Sequence, residues 1–335
     1  MWSDEKATIT DTEPEIINQA KRCCQFPLSV MDAFNSKIPY MENLFRFSFD
    51  YLIKEGYIDS NGNPLQFCGL IAHIHYMEPF NFAFVSLLKD GIFDEICSKS
   101  KTESNRVILE EILVILCNLF CRVKLHPKHM DNIQKRYGKK VFGKIVVPNL
   151  SGNILASINA HNSRALSITT SFMHATTQVY KEELGEDNVL PLSKLEFSPS
   201  LKAPFKVQSI PISVRSAFVA LSGNSDNFSS VPELEDTLRS GLVLNSSVIP
   251  WVDIGDQPLN AYILDFWSHG QLISLRRLNG LREDVIFENL LEFSLLLKVI
   301  SVALEKREKK SGVVTKMFTL LSKTFAEKFT NAFPR

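Results

Sequence analysis

Residues 41–64 read MENLFRFSFDYLIKEGYIDSNGNP, and they contain a helix signal, a stop signal and a turn signal in succession. Apolar side chains recur at helical spacing up to Ile53, and Gly56 stands where a glycine commonly ends a helix. The Asn61-Gly62 pair is typical of a tight β-turn, which predicts a small hairpin or wing after the helix. Together with a second short helix over 69–76, this order of elements indicates the C-terminal half of a winged helix.

Helical spacing also dominates the chain beyond this stretch. It predicts helices over residues 80–90, 104–122, 154–183, 261–269, 283–307 and 312–333. Proline, serine, glycine and asparagine are frequent from 190 to 259, where short apolar runs predict a loop-rich insertion with short strands. In the helix over 283–307 the polar side chains form a narrow stripe, which predicts that most of this helix is buried. We therefore predict a mainly α fold.

The composition excludes several classes of protein. The chain has 335 residues, of which 45% are hydrophobic and 22% are charged, as in soluble globular proteins with a sizeable core, so wholesale disorder is excluded. Lys and Arg together number 37, and Asp and Glu together also number 37. Because the whole-chain charge cancels, any attraction to a polyanion must be local.

The cysteines and the N-terminal residues bear on the cellular setting. The six cysteines lie mostly among Leu, Ile, Phe and Val, which predicts small buried hydrophobic side chains. The first fifteen residues are acidic and lack the apolar run of a secretory signal. These features predict a reducing, intracellular location: the cytoplasm, with the nucleus as the alternative. The most apolar window, 107–123, is interrupted by Glu110 and Glu111, so we expect no membrane span and no membrane partner.

Residues 138–145, GKKVFGKI, have the spacing of a phosphate-binding loop but not its context. Ile145 replaces the Ser or Thr that would hold magnesium, and the run before Gly138 is polar where a hydrophobic strand is required. Pro148 lies where the following helix should grow. Asp94-Glu95 resembles the acidic box of a helicase, yet its surroundings predict a solvated pair at a helix terminus. The sequence therefore predicts no nucleotide cofactor.

Histidines and cysteines do not form a recognisable metal motif. The candidates are His73, His75, Cys68, Cys117, Cys121, His126 and His129, and none has paired C-x-x-C spacing. Cys117 and Cys121 lie one helical turn apart on an apolar face, which favours core positions. His126 precedes Pro127 in a basic stretch that we interpret as a loop, with a solvated or phosphate-facing imidazole. Without a G-x-S-x-G elbow either, the sequence predicts no catalytic residue and no metal.

Local charge is more informative than the total. Residues 122–144 contain eight basic side chains and one acidic side chain, and residues 306–335 contain eight basic and two acidic ones. The segment 223–265 is acidic and balances them. Clusters of Lys and Arg bind nucleic acid largely by displacing counterions from phosphates, so both clusters are candidate backbone-binding surfaces. Ordinary solvated surfaces also carry such clusters, and that alternative stays open.

Five stretches of the chain, in their order and spacing, resemble one family of helicases. They are Tyr51–Gly62 (YLIKEGYIDSNG), Gly69–Gly91 (GLIAHIHYMEPFNFAFVSLLKDG), Leu190–Phe197 (LPLSKLEF), Ala217–Asn224 (AFVALSGN) and Leu259–Leu304, which begins LNAYILDFWSHGQL. The resemblance is to the C-terminal region of superkiller (Ski)-type superfamily-2 DExD/H-box helicases, and most of all to the interferon-inducible antiviral helicases and their fungal relatives. One departure is Glu283-Asp284-Val285, where those helicases tend to have Glu-Gly-Asp at a helix start.

The resemblance implies a partial winged helix followed by a helical, ratchet-like bundle that lies beside a motor and against nucleic acid. Two RecA-like motor domains would need roughly 300 to 400 residues, and fewer than that precede Tyr51. We therefore expect a truncated relative without motor domains, which is not an enzyme.

This implied architecture divides the chain into five parts. A polar tail and leading helix take up 1–38, and a winged-helix remnant takes up 39–78. The helical accessory domain has its first part over 79–189, the loop-rich insertion occupies 190–260, and the C-terminal part of the accessory domain follows over 261–335.

The predicted function is non-specific binding of the RNA or DNA backbone without ATP hydrolysis. The residues predicted to bind nucleic acid are Lys135, Arg136, Lys139, Lys140, Lys144, Arg276, Arg277 and Arg282. The alternative is a protein-interaction or vestigial helicase remnant, with a helicase motor or another protein docked on an exposed apolar surface.

Overall fold

The computed structural model describes residues 47–179, 250–252, 254, 258–307 and 312–334. The regular structure of these residues is helical, and the β-pairing among them is limited to three isolated bridges. The mainly α prediction is therefore confirmed. The tail over 1–38 and nearly all of the insertion over 190–260 lie outside the described residues, so those predictions remain untested.

The described helices are numbered here in chain order. They are α1 (47–54), α2 (Cys68–His73), α3 (Phe80–Lys89), α4 (Ile92–Ser98), α5 (Asn105–Phe120), α6 (Pro127–Ile145), α7 (Gly152–Val179), α8 (Tyr262–His269), α9 (Leu272–Arg277), α10 (Glu283–Arg307) and α11 (Val313–Ala332). Single 3₁₀ turns occur at His75–Met77 and Lys99–Lys101.

The described residues belong to two compact units. The first contains 47–68, 159–179 and 250–251, and the second contains 69–158, 252, 254, 258–307 and 312–334. The long helix α7 contributes its first turns to the second unit and the remainder to the first unit.

In the first unit, the end of α1 and the turn after it are fixed by local hydrogen bonds. Gly56 has a φ of 70°, the left-handed conformation that ends a helix, as the sequence predicts. Asp59 Oδ1 accepts the backbone N–H groups of Asn61 and Asn63 at 2.9 and 2.8 Å, which closes the predicted turn. A single antiparallel bridge joins Ile58 to Pro64. The winged helix itself stays a prediction, because residues 39–46 lie outside the described part.

In the second unit, phenylalanine side chains form the centre of the core. Phe318 of α11 lies 5.3 Å from Phe93 of α4 and 6.1 Å from Phe84 of α3 between ring centroids, and all three are fully buried. Phe325, about two helical turns further along α11, packs on Phe293 of α10, with 5.0 Å between the ring centroids. Edge-on aromatic packing of this kind stabilises a core beyond its buried area. The helix α11 is thus a central element of this unit.

The prediction that most of α10 is buried is wrong. Its bounds agree with the predicted 283–307, but burial is confined to one face, and Ser301 of the predicted polar stripe is itself buried. On the outer side Leu295 is 51% exposed and Val302 is 40% exposed. The narrow polar stripe gave a wrong prediction because several apolar residues of α10 are exposed and do not pack on a neighbouring helix.

Candidate nucleic-acid interface

The main predicted cluster of basic residues is placed on α6. Lys135 and Arg136 precede a kink at Gly138, where φ is 77° and ψ is 174°, and Lys139, Lys140 and Lys144 follow it. The stretch that the sequence analysis interpreted as a basic loop is therefore a helix, and the loop prediction was wrong. The apparent phosphate-binding loop is also part of this helix, since the residues before Gly138 are helical and not a strand.

The reason for the helix lies in its first residues and in a narrow apolar stripe. Pro127 occupies the first helical position, where its missing N–H costs nothing, and Nδ1 of His126 accepts the Lys128 N–H at 3.2 Å. Ile133 and Ile145 are buried together with Leu125, while Met130 and Val141 pack against them. Because this stripe is narrow, the rest of the helix surface is left for polar and charged side chains.

Both ends of α6 are held by the same extended segment, residues 258–261. On one side, Leu125 N–H donates to the Pro258 carbonyl at 3.0 Å and Asn260 N–H donates to the Val123 carbonyl at 2.7 Å. On the other side, Val147 N–H donates to the Leu259 carbonyl at 2.9 Å. The isolated bridges of this segment to Lys124 and Val146 belong to the same contacts. Backbone hydrogen bonds to residues 258–261 therefore fix the residues that enter and leave α6.

The cations of α6 are available for binding. Lys135, Arg136, Lys139 and Lys144 are exposed, and no carboxylate in the described part of the chain lies within ion-pair distance of them. The side chain of Lys140 is outside the described set. Another helical cation of this unit does have a counter-ion, as in the 3.0 Å pair of Arg106 with Glu110. Four cations without a described counter-ion, all within ten residues of α6, produce a local positive potential.

The turn between α9 and α10 lies against the first turns of α6. His129 Nε2–H donates to the Leu278 carbonyl at 2.7 Å. Gly280 has a φ of 68°, and a Cβ at this position would stand 2.8 Å from the His129 ring, so glycine is required by both conformation and space. The side-chain amide of the buried Asn260 donates to the Asn279 backbone carbonyl, and the side-chain amide of Asn279 donates to Asn260 Oδ1, both at 2.8 Å. These two bonds hold the turn to residues 258–261.

The second predicted set of basic residues flanks this turn. Arg276 and Arg277 end α9 and Arg282 precedes α10, so the fold brings this part of the chain beside α6. Two of the three have counter-ions: Arg276 pairs with Glu283 at 3.3 Å, and Arg282 pairs with Asp284 at 3.0 Å. These pairs are exposed and weak, but they make this set a poorer anion site than α6.

Arg122 lies in the basic segment of the sequence, but its side chain does not lie among the exposed cations of α6. Its guanidinium donates to the carbonyls of Asn118 at 2.8 Å and Ile254 at 3.1 Å, and it lies 5.0 Å from the centre of the Phe80 ring. The side chain therefore holds the end of α5 in place and does not contribute to the exposed face.

The other basic cluster, near the end of the chain, is dispersed over the described parts of α10 and α11. Lys316 and Lys323 are exposed on α11, but they share its outer surface with Val313 and Leu320, which are 48% and 38% exposed. Lys328 is half-buried over the Trp267 ring at 5.8 Å. Fewer cations are therefore free here than the sequence suggests.

The remaining chemical candidates take structural positions. Asp94 and Glu95 are exposed in the first turn of α4, which confirms the solvated acidic pair. Cys97, Cys117 and Cys121 are buried, and burial together with nearby carboxylates raises the pKa of Cys97 to about 12, which disfavours the thiolate. His75 Nδ1–H donates to the Ala72 carbonyl at 2.9 Å.

Metal-binding groups and membrane-spanning helices are both absent from the described residues. Within the described ranges, no three His, Cys, Asp or Glu side chains group together as they would around a metal ion. None of the helices described has the length and apolar character needed to cross a bilayer.

The chain is similar in sequence to known proteins over most of its length. An uncharacterized helicase of Dictyostelium discoideum is 30% identical over 308 residues, which are 86% of this chain and 16% of that protein. A Homo sapiens protein described as "Probable ATP-dependent RNA helicase DDX60-like" is 31% identical over 302 residues, which are 85% of this chain and 17% of the relative.

The chain is homologous to helicases. A third helicase relative, an uncharacterized protein of Caenorhabditis elegans, is 22% identical over 79% of the chain and 15% of its own length. The chain thus spans about a sixth of the length of the helicases it matches. No model of a protein family matches it, and no solved structure does.

Proposed function

We propose that this chain is a helicase-derived module that binds the phosphate backbone of RNA or DNA through α6, without reading base sequence and without hydrolysing ATP. The observation that carries the proposal is the set of exposed cations on α6, Lys135, Arg136, Lys139 and Lys144, for which no described carboxylate is a partner. The homology to helicases supports a nucleic-acid ligand in particular.

The geometry supports backbone contact rather than base readout. The cations of α6 are long, flexible side chains, and residues 258–261 bind the backbone at both ends of this helix. These side chains present positive charge and not a fixed pattern of hydrogen-bond donors and acceptors that could match a base edge. Each phosphate neutralised by such a charge makes the slope of log K against log salt concentration more negative, where K is the binding constant. The change per phosphate is about 0.9 on duplex DNA and about 0.7 on single strands. Four contacts therefore predict a slope of roughly −3 to −4 in log K against log salt.

The test is a salt titration of binding with a charge-matched control. Purified protein is titrated with fluorescent single- and double-stranded RNA, first at low salt and then at rising salt. We expect replacement of Lys135, Arg136, Lys139 and Lys140 by Ala to weaken binding and to flatten the salt slope. The control replaces Lys298, Lys306, Lys316 and Lys323 of α10 and α11 by Ala, which removes the same charge from exposed positions.

The control separates a specific surface from a general effect of net charge. If α6 is the binding surface, the control variant keeps the affinity and the slope of the unmodified protein. Equal losses in both variants would show that total charge governs binding, and absence of binding at low salt would remove the proposal altogether.

A protein-interaction or vestigial remnant is the second candidate, and exposed apolar side chains favour it. Leu295 and Val302, seven residues apart on α10, are 51% and 40% exposed, as expected for a face that a helicase motor or another protein covers. Under this alternative, the Leu295→Glu and Val302→Glu double variant loses binding to the purified remainder of a helicase relative in size-exclusion chromatography, and RNA binding is absent throughout.

A further inference from the structure

An exposed aromatic ring lies among the basic residues of α6, directly before its kink. Tyr137 is the last residue before Gly138, and its side chain is 39% exposed. Arg136 precedes it, and Lys139 follows two residues later. The guanidinium of Arg136 lies over the Tyr137 ring, 5.3 Å from its centre. The ring is thus flanked by cations in the sequence, and one of them contacts it.

This exposure is not what the helical pattern of α6 would give. Tyr137 lies four positions after Ile133, which is only 4% exposed, so both belong to the side of the helix that faces the small core. If α6 were unbroken, the next helical turn would place a further side chain on this same side of the helix, directly after the ring. The left-handed φ of 77° at Gly138 interrupts that row directly after Tyr137.

A basic surface with an accessible aromatic ring suits a particular kind of nucleic acid. Single strands are bound by a combination of cations along the backbone and aromatic rings on which bases stack, whatever the base identity. In a duplex each base is paired and stacked on its neighbours, so its face is closed to a protein ring. Arginine guanidinium planes also stack on bases, and the Arg136 guanidinium already lies over the Tyr137 ring.

We propose that α6 prefers single-stranded nucleic acid, with one base stacked on Tyr137 and the flanking phosphates bound by Lys135, Arg136 and Lys139. This proposal rests on the proposed function, since it names the substrate class of the same surface. Duplexes are bound by the cations alone and therefore more weakly. The stacked base makes the strand preference independent of base sequence.

The experiment compares three probes of equal length: a single-stranded oligouridine, an RNA duplex and an oligonucleotide of abasic sites. Tyr137→Leu keeps an apolar side chain but removes the planar ring, and Tyr137→Phe keeps the ring. Loss of one stacked base predicts about 5- to 150-fold weaker binding of oligouridine by Tyr137→Leu, with little change for the other two probes. Tyr137→Phe retains the affinity. Tyr76→Ala, at a tyrosine that is 54% exposed outside α6, is the matched control and should bind normally.

The outcomes distinguish the two proposals. If the unmodified protein binds none of the three probes at low salt, the proposed function is wrong. If it binds all three equally and Tyr137→Leu changes nothing, backbone binding stands and the stacking proposal is overturned. Photocrosslinking of 5-bromouridine oligonucleotide to the unmodified protein supplies a test that needs no variant. A crosslink at Tyr137 supports the proposal, and crosslinks confined to other residues overturn it.

Discussion

Helices α6 and α11 come from the two segments with the highest density of basic residues, yet they have opposite positions in the fold. In α11, Phe318 and Phe325 are fully buried at the centre of the second unit, and Lys328 is held over an indole ring. Among the described side chains of α6, burial is limited to a narrow stripe around Ile133 and Ile145, and Lys135, Arg136, Lys139 and Lys144 are exposed.

The difference shows that the charge count of a segment does not by itself identify a binding surface. The segments 122–144 and 306–335 each carry eight basic side chains, but six of the first eight lie on α6 and only three of the second eight lie on α11. A row of apolar side chains along α11 is buried in the core, and its exposed lysines share the helix with the exposed Val313 and Leu320. Segments of equal charge can therefore leave very different arrangements of exposed cations.

The largest expected effect is a loss of stability caused by a substitution in α11. Replacement of Phe318 by Ala should lower the free energy of unfolding by about 3 to 5 kcal/mol, because the ring is fully buried against Phe84 and Phe93. Urea denaturation followed by circular dichroism measures this loss. Lys323→Ala, on the exposed side of the same helix, is the control and should change stability by less than about 0.5 kcal/mol. A Phe318→Ala protein as stable as the control would contradict the structural role given to α11.

A smaller effect is expected where the α9–α10 turn meets α6. Gly270 and Gly280 both have a φ of 68°, so Ala at either position adopts a left-handed conformation that costs about 1 to 2 kcal/mol. Only at Gly280 would the new Cβ collide with the His129 ring, whereas nothing lies within 4 Å at Gly270. Gly280→Ala should therefore be the more destabilising variant in thermal unfolding.

The two glycine variants also test the contact itself. In a double variant of Gly280→Ala with His129→Ala the collision is absent, so its cost should be less than the sum of the single variants. Simple additivity, or equal losses for Gly270→Ala and Gly280→Ala, would argue that the turn does not pack on α6 as described.

The sequence predicted the helices of the core better than it predicted the site. For α10 and α11 the apolar period is regular, and the predicted bounds differ from the observed ones by at most one residue. In α6 the pattern is weak, since few apolar residues repeat and Gly138 breaks them, so the sequence predicts a loop where the structure has a helix. Pro127 after His126 was the available signal, because proline is favoured at a first helical position.

The assembly of the site could not be predicted from local patterns. The hydrogen bond between His129 and the Leu278 carbonyl joins residues 149 positions apart, and nothing in either segment specifies the other. The role of Arg122 was missed for the same reason, because its partner at Ile254 is distant in sequence. What the sequence did indicate correctly was that Lys135, Arg136 and Lys139 are surface cations, since a polar run with so few apolar residues has no means of burying them.

Lysine acetylation footprinting of the unmodified protein, with and without bound single-stranded RNA at low salt, is the most direct test of α6 as the binding surface. Mass spectrometry reads the modification rate of each lysine, and the exposed Lys298, Lys316 and Lys323 serve as internal controls. If α6 is the binding surface, bound RNA slows the acetylation of Lys135, Lys139 and Lys144 and leaves the rates of the control lysines unchanged. Protection of the α10 and α11 lysines with none on α6 would contradict it.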